Sequence, residues 1–102
     1  MSSGFQEQTF VVAAGQGDVA TVGDMIARGM DVNCVDFIGR TALHAALVQG
    51  HVAVVKLLLS RGANPHIRRR DGWSSLKIAS FATNSKELGA LLRGKEAGVL
   101  DE

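Results

Sequence analysis

The stretch Thr41-Ala42-Leu43-His44-Ala45-Ala46-Leu47-Val48-Gln49-Gly50-His51 decides how this chain is expected to fold. Thr41 opens a helix, because its hydroxyl can accept from an orphan amide of the first turn. His44, three residues on, stands where a reciprocal cap would. Leu43, Ala46 and Leu47 then recur at three- and four-residue spacing and make one narrow apolar stripe. The small side chains of Ala42, Ala45 and Ala46 let neighbouring helices come close. Gly50 ends this helix and His51 begins the next, in which Val54, Val55, Leu58 and Leu59 form a broader apolar face. Gly62 supplies a left-handed C-cap without a Cβ penalty, and Ala63-Asn64-Pro65 turns the chain out. From His66 to Gly72 the chain is polar and extended, ending in the hairpin-type pair Asp71-Gly72.

Working outward, the same pattern recurs at a period of 33 residues. Sliding the chain by that step lays Ala13, Gln16, Gly17 and Val19 under Ala46, Gln49, Gly50 and Val52, and Gly29 under Gly62. A second step lays Gly39, Thr41, Leu43 and Ala46 over Gly72, Ser74, Leu76 and Ala79, and Leu58-Leu59 over Leu91-Leu92. Three units are expected, at 3–35, 36–68 and 69–95, followed by a tail at 96–102. Helix, tight turn, longer helix, glycine stop and extended hairpin at this period resemble the ankyrin repeat. The residues that carry the resemblance are Asp36, Gly39, Thr41-Ala42-Leu43-His44, Ala46, Gly50-His51, Val54-Val55, Leu57-Leu58-Leu59 and Gly62-Ala63-Asn64-Pro65. Ala42 stands where that family usually has proline, which loses some pre-organisation only. The resemblance implies an all-α solenoid of three stacked helix-turn-helix units with short hairpin loops.

The outer units depart in the way terminal repeats do. Unit one has Gln8, Phe10 and Val11 in place of the Thr…Leu-His opening, with Gln6 and Glu7 for solubility. Unit three reads Ser74-Ser75-Leu76-Lys77, and Thr83-Asn84 replaces Gly50-His51. Asn84 and Glu87 have the spacing of a capping box, and Gly94 is expected to end the last helix.

Composition fits one small intracellular domain. The chain has 102 residues, 46% hydrophobic and 21% charged, too apolar for a disordered tail and too short for a large two-domain enzyme. Its longest apolar runs are broken by Lys56, so none spans a membrane, and Met1-Ser2-Ser3-Gly4 opens no secretory signal. A single cysteine, Cys34, cannot form an internal disulfide, which suits the cytoplasm or the nucleus. The net charge of +1 hides a polarity: residues 1–51 hold two basic against five acidic side chains, and residues 52–102 hold nine against five.

Rival chemistries are weaker. Phe10–Ala14 followed by Gly15-x-Gly17-x-x-Ala20, with Asp36 further on, matches a dinucleotide-binding fingerprint, which requires a strand before the glycines and a second βαβ half. The repeat register already accounts for Gly17, and the chain has little room for a doubly wound sheet. His44, His51 and His66 lack metal-site spacing, and one cysteine cannot complete a zinc quartet. Ser74, Ser75 and Cys34 could each be imagined as a nucleophile, but no acid–His–nucleophile set converges in a solenoid. No enzyme activity, cofactor or metal is expected.

The expected function is a non-catalytic protein–protein interaction module: an adaptor, inhibitor or scaffold. Ankyrin-like proteins bind through hairpin tips and the outer ends of the first helix of each unit. Carried onto this sequence, the resemblance implies a docking surface of Phe37, Ile38, Arg40, Val48 and Gln49 from unit two. Arg68 and Arg70 join them at the next fingertip, and Trp73, Phe81 and Ala82 come from unit three. Phe37-Ile38, an apolar tip between Asp36 and Gly39, has no core to enter, whereas Trp73 and Phe81 could instead cover the end of the stack. The implied partner is a protein with an acidic and apolar docking surface. Two alternatives stay open: a permanent subunit of a larger assembly, and an anion- or RNA-binding module using Arg68–Arg70.

Overall fold

Six helices follow from that pattern in a computed structural model that describes residues 5–97. They are α1 (Phe5–Gly15), α2 (Val19–Ala27), α3 (Ala42–Gln49), α4 (Val52–Ser60), α5 (Ser75–Ser80) and α6 (Ser85–Ala97). Each odd helix packs on the even helix that follows it. The odd helices also stack in a row, α1 on α3 on α5, and the even helices stack behind them, α2 on α4 on α6. The result is a two-layered slab of 42 × 28 × 20 Å. Among the described residues there is no strand, only an isolated bridge between Val35 and Thr41.

The local chemistry of the middle unit is as its spacing implies. Thr41 Oγ1 accepts from the His44 amide at 3.1 Å, and His44 Nδ1 accepts from the Thr41 amide at 3.2 Å. That leaves Nε2 as the protonated nitrogen, and it donates to the Ile67 carbonyl at 2.8 Å, pinning the following hairpin. Burial, with the Arg69 charge nearby, holds His44 below the usual histidine pKa against the opposing Ile67 hydrogen bond. Gly50 takes φ +75° at the C-cap of α3.

Two expectations change at the level of packing. The narrow stripe on α3 is in fact a nearly complete sheath: every residue from Ala42 to Leu47 is buried, because α1, α4 and α5 surround this helix. Gly94 does not end the last helix, which runs through it to Ala97. The rest of the expected tail, and Met1–Gly4, lie outside the described residues.

Unit three is also looser than unit two. Thr83 holds the place of Gly50, and among the described residues no non-glycine residue adopts a positive φ. A β-branched residue resists the left-handed turn, so α5 stops at Ser80 and a four-residue link leads into α6. Asn84 and Glu87, expected to form a capping box, reach toward unit two: Asn84 Nδ2 donates to the Gly50 carbonyl at 2.8 Å, and Glu87 lies 3.9 Å from Lys56 Nζ. A matching latch joins units one and two, where His51 Nε2 donates to the Gly15 carbonyl at 3.0 Å.

The core runs the length of the slab through Phe10, Val22, Leu43, Leu47, Val54, Leu58, Leu88 and Leu92. Each is essentially inaccessible, and each such aliphatic side chain contributes about 1.5–3 kcal/mol on burial. The run Phe10–Ala14 is helical and Gly15 is the last residue of α1, so no strand precedes the glycines of the apparent dinucleotide fingerprint.

Candidate functional site

Between the helix pairs two fingers project, and their tips are built with opposite electrostatics. In the first, the Asp36 amide donates to the Arg40 carbonyl at 2.9 Å, and Gly39 turns the chain at φ +85°. The Asp36 carboxylate is fully buried, accepting from the Ile38 amide at 3.1 Å, the Arg40 amide at 2.8 Å and Arg40 Nε at 2.8 Å. Burial pushes this carboxyl up, but the Arg40 amide and guanidinium and the Ile38 amide outweigh it. The group ends below the usual aspartate range.

In the second finger the register places Arg69 where Asp36 stood, and its amide donates to the Trp73 carbonyl at 2.9 Å. The acid has moved to the turn: Asp71 holds the Arg69 guanidinium and accepts from the Trp73 amide at 3.2 Å. The Arg69 hydrogen bond holds the Asp71 carboxyl below its usual range.

These fingers bring some of the expected residues together and separate others. Ile38, Arg40 and Arg70 line a cleft of about 510 Å³ between the tips, with Arg69 and Asp71. Val48, Trp73 and Phe81 line a neighbouring cleft of about 270 Å³, with Arg69 and Ile78. Arg69 belongs to both, so the two form one strip. Phe37, Gln49 and Arg68 line neither. Phe37 is 64% exposed, and its amide donates to Gln8 Oε1 of α1 at 3.3 Å. Arg68 Nη1 donates across its own turn to the Gly72 carbonyl at 2.9 Å. Ala82 packs against the core rather than lining the surface.

Trp73 and Phe81 part company. Phe81 is 74% exposed. Trp73 is half-buried against the core, with its ring 5.5 Å from that of Phe81 and cations nearby, Arg69 at 5.6 Å and Lys77 at 5.2 Å. It is a base plate on which Phe81 and the cations rest. Arg40 is likewise a partly structural residue, since its Nε is committed to Asp36.

Arg69, which lines both clefts, and Lys77, which stands over Trp73, were not among the expected site residues. The three arginines of Arg68-Arg69-Arg70 are alike in sequence, and only the repeat register identifies Arg69 as the residue at the foot of the finger. Lys77 was legible from the four-residue steps Trp73, Lys77, Phe81.

The imagined nucleophiles are placed for other work. Ser74 Oγ accepts from the Lys77 amide and caps α5, and the Ser75 hydroxyl is buried. Burial, with Glu7 and Asp31 nearby, pushes the Cys34 thiol up to about 11, so little thiolate exists at neutral pH. Among the described residues no group of three or more His, Cys, Asp or Glu could hold a metal, and no helix is long and apolar enough to cross a membrane.

A row of helix pairs with projecting fingers defines a repeat solenoid, and the family model for ankyrin repeats (3 copies) matches residues 10–101. The chain belongs to the ankyrin-repeat family. It is 40% identical over 76 residues to the 2-5A-dependent ribonuclease of Mus musculus, covering 74% of this chain and 10% of that protein. It is 49% identical over 43 residues to the Notch-regulated ankyrin repeat-containing protein of Homo sapiens, covering 42% of this chain and 38% of that one. Among solved structures, an ankyrin repeat domain from Acinetobacter baumannii AYE superposes with a TM-score of 0.79 at 36% identity, covering 85% of this chain and 46% of that one. The chain thus spans less than half the length of each. Ankyrin repeats are in general protein-interaction modules and generally non-catalytic.

Proposed function

We propose that this chain is a non-catalytic interaction module that docks a partner protein along the strip formed by the two fingers and the exposed ends of α3 and α5. One observation carries this: Ile38 and Phe81, 61% and 74% exposed, sit in two adjoining clefts that share Arg69. Scattered exposed apolar side chains are ordinary, but large ones gathered with arginine and tryptophan have the composition of an interface centre. The fingers are held before any partner arrives, by the His44–Ile67 bond, the Gln8–Phe37 bond and the two aspartate-anchored turns. Docking therefore orders few side chains. The partner is a protein with an acidic and apolar docking surface, and the docking unit is residues 3–95.

The test is site-directed photo-crosslinking in cells. A photoreactive side chain at position 38 and another at position 81 are expected to trap the same protein, with no such adduct from position 86 on α6. Equal trapping from all three positions would refute the assignment.

A further inference from the structure

The charges left over on the strip say what kind of segment it takes. Two carboxylates reach it, and both are engaged, Asp36 by Arg40 and Asp71 by Arg69. Arg70 and Lys77 have no carboxylate partner among the described residues. Arg70 lies along the first finger, so close that a Cβ on Gly39 would sit 3.1 Å from its Nε, and its side chain lines the cleft between the tips. Lys77 stands over Trp73 beside the other cleft. The unanswered charge is thus positive beside each of the two clefts, whose apolar lining comes from Ile38 in one and Val48 and Phe81 in the other.

We infer that the strip holds an extended acidic peptide segment of the partner. One carboxylate enters between the fingers against Arg70 and Arg40, and a large apolar side chain two residues away sits on Val48, Trp73 and Phe81. The inference rests on the docking reading above and adds the chemistry of the occupant. Because Arg69 walls both clefts, they adjoin. Residues i and i+2 of an extended chain point to the same side ~7 Å apart, which suits two adjoining subsites. A guanidinium meets a carboxylate in a planar fork of two N–H donors, which suits Arg70 at the wall of the cleft. RNA is the less favoured anion. The Trp73 ring already carries two cations and Phe81, and is not a free platform on which a base could stack.

The experiment selects binders to the full chain from a randomised twelve-residue peptide library, then measures the enriched peptides by fluorescence anisotropy. Enriched sequences are expected to carry Asp or Glu two residues from a large apolar residue. Replacing that acid by its amide should weaken binding about tenfold, the lower range for a charge-assisted hydrogen bond. Arg70→Glu should lose these peptides and gain those with lysine in place of the acid, a reversal that misfolding cannot produce. Phe81→Asp should lose both sets, with an unchanged circular dichroism spectrum. A mixed-sequence single-stranded RNA should not compete. Competition by that RNA, or a neutral or basic consensus, would overturn the inference. If such peptides were still lost on Ile38→Asp and Phe81→Asp, docking on the strip would survive. Binders indifferent to Ile38, Arg70 and Phe81 would sink both.

Discussion

Replacing Asp36 with asparagine and with alanine separates two jobs done by one buried carboxylate. Its Oδ1 accepts from the Ile38 and Arg40 amides at 3.1 and 2.8 Å, and Oδ2 accepts from Arg40 Nε at 2.8 Å. Asp36→Asn keeps an acceptor for the amides and loses only the ion pair. Arg40 retains a third of its side-chain exposure and can rehydrate, so the loss is about 1–1.5 kcal/mol. Asp36→Ala loses all three bonds, and about 3 kcal/mol is expected, the lower figure for breaking a buried pair. The pH dependence gives an independent check. Asp36 binds its proton less readily folded than unfolded. Its contribution is therefore complete above the unfolded aspartate pKa of about 4 and drains away as pH falls through the folded value. Urea midpoints between pH 3 and 7 read this directly. Wild type should lose stability below about pH 4 more steeply than Asp36→Asn, with Asp18 and Asp71 leaving a shared residual slope. Parallel slopes, or an alanine variant within about 1 kcal/mol of wild type, would refute the account of the finger.

Other changes test other joints. Ser75 Oγ is buried with no hydrogen-bond partner among the described residues, at the position where unit two has Ala42, so Ser75→Ala should raise stability by about 1 kcal/mol in a denaturant titration. At Gly17, φ is +76° and an added Cβ would meet His51 Nδ1 at 2.8 Å, whereas at Gly29, φ is +101° and nothing lies within 4 Å. Gly17→Ala should cost about 2 kcal/mol and Gly29→Ala about 1, the difference reporting the His51–Gly15 latch in a thermal melt. Trp73→Ala should destabilise by about 2 kcal/mol because the ring is half-buried against the core. Phe81→Ala should stay within about 0.5 kcal/mol of wild type while weakening partner binding.

The parts of the fold that could be read from the chain are those in which one residue's chemistry is answered a few positions away. Thr41 and His44 form their reciprocal cap because three residues bring an N-cap hydroxyl and an N3 side chain together whatever surrounds them. Gly50 and Gly62 are legible for the same reason, since a helix stop is decided within one turn. What escaped depends on neighbours far along the chain. Gly94 fails to stop α6, since a glycine alone costs a helix only about 1 kcal/mol, too little to end it. Asn84 and Glu87 have capping spacing, yet unit two offers them a carbonyl and an ammonium group. In the candidate site, exposure at Ile38 was legible from its place in a tip between Asp36 and Gly39, whereas Phe81 stayed open between the surface and the end of the stack. Which of the two readings holds for Trp73, and the place of Arg69 in both clefts, were not legible, because both follow from the second finger lying against α5.

The two latches have a direction. In each, a side chain from the later unit grips a carbonyl at the turn of the earlier one: His51 holds Gly15, and Asn84 holds Gly50. The stack is therefore fastened like overlapping roof tiles, each course nailed down by the one laid after it. Cutting away the last course removes the nails and leaves bare carbonyls that water readily satisfies. Stripping the first likewise opens the His51 ring N–H to water, so a cut at either end breaks one fastening and leaves no buried polar group unpaired.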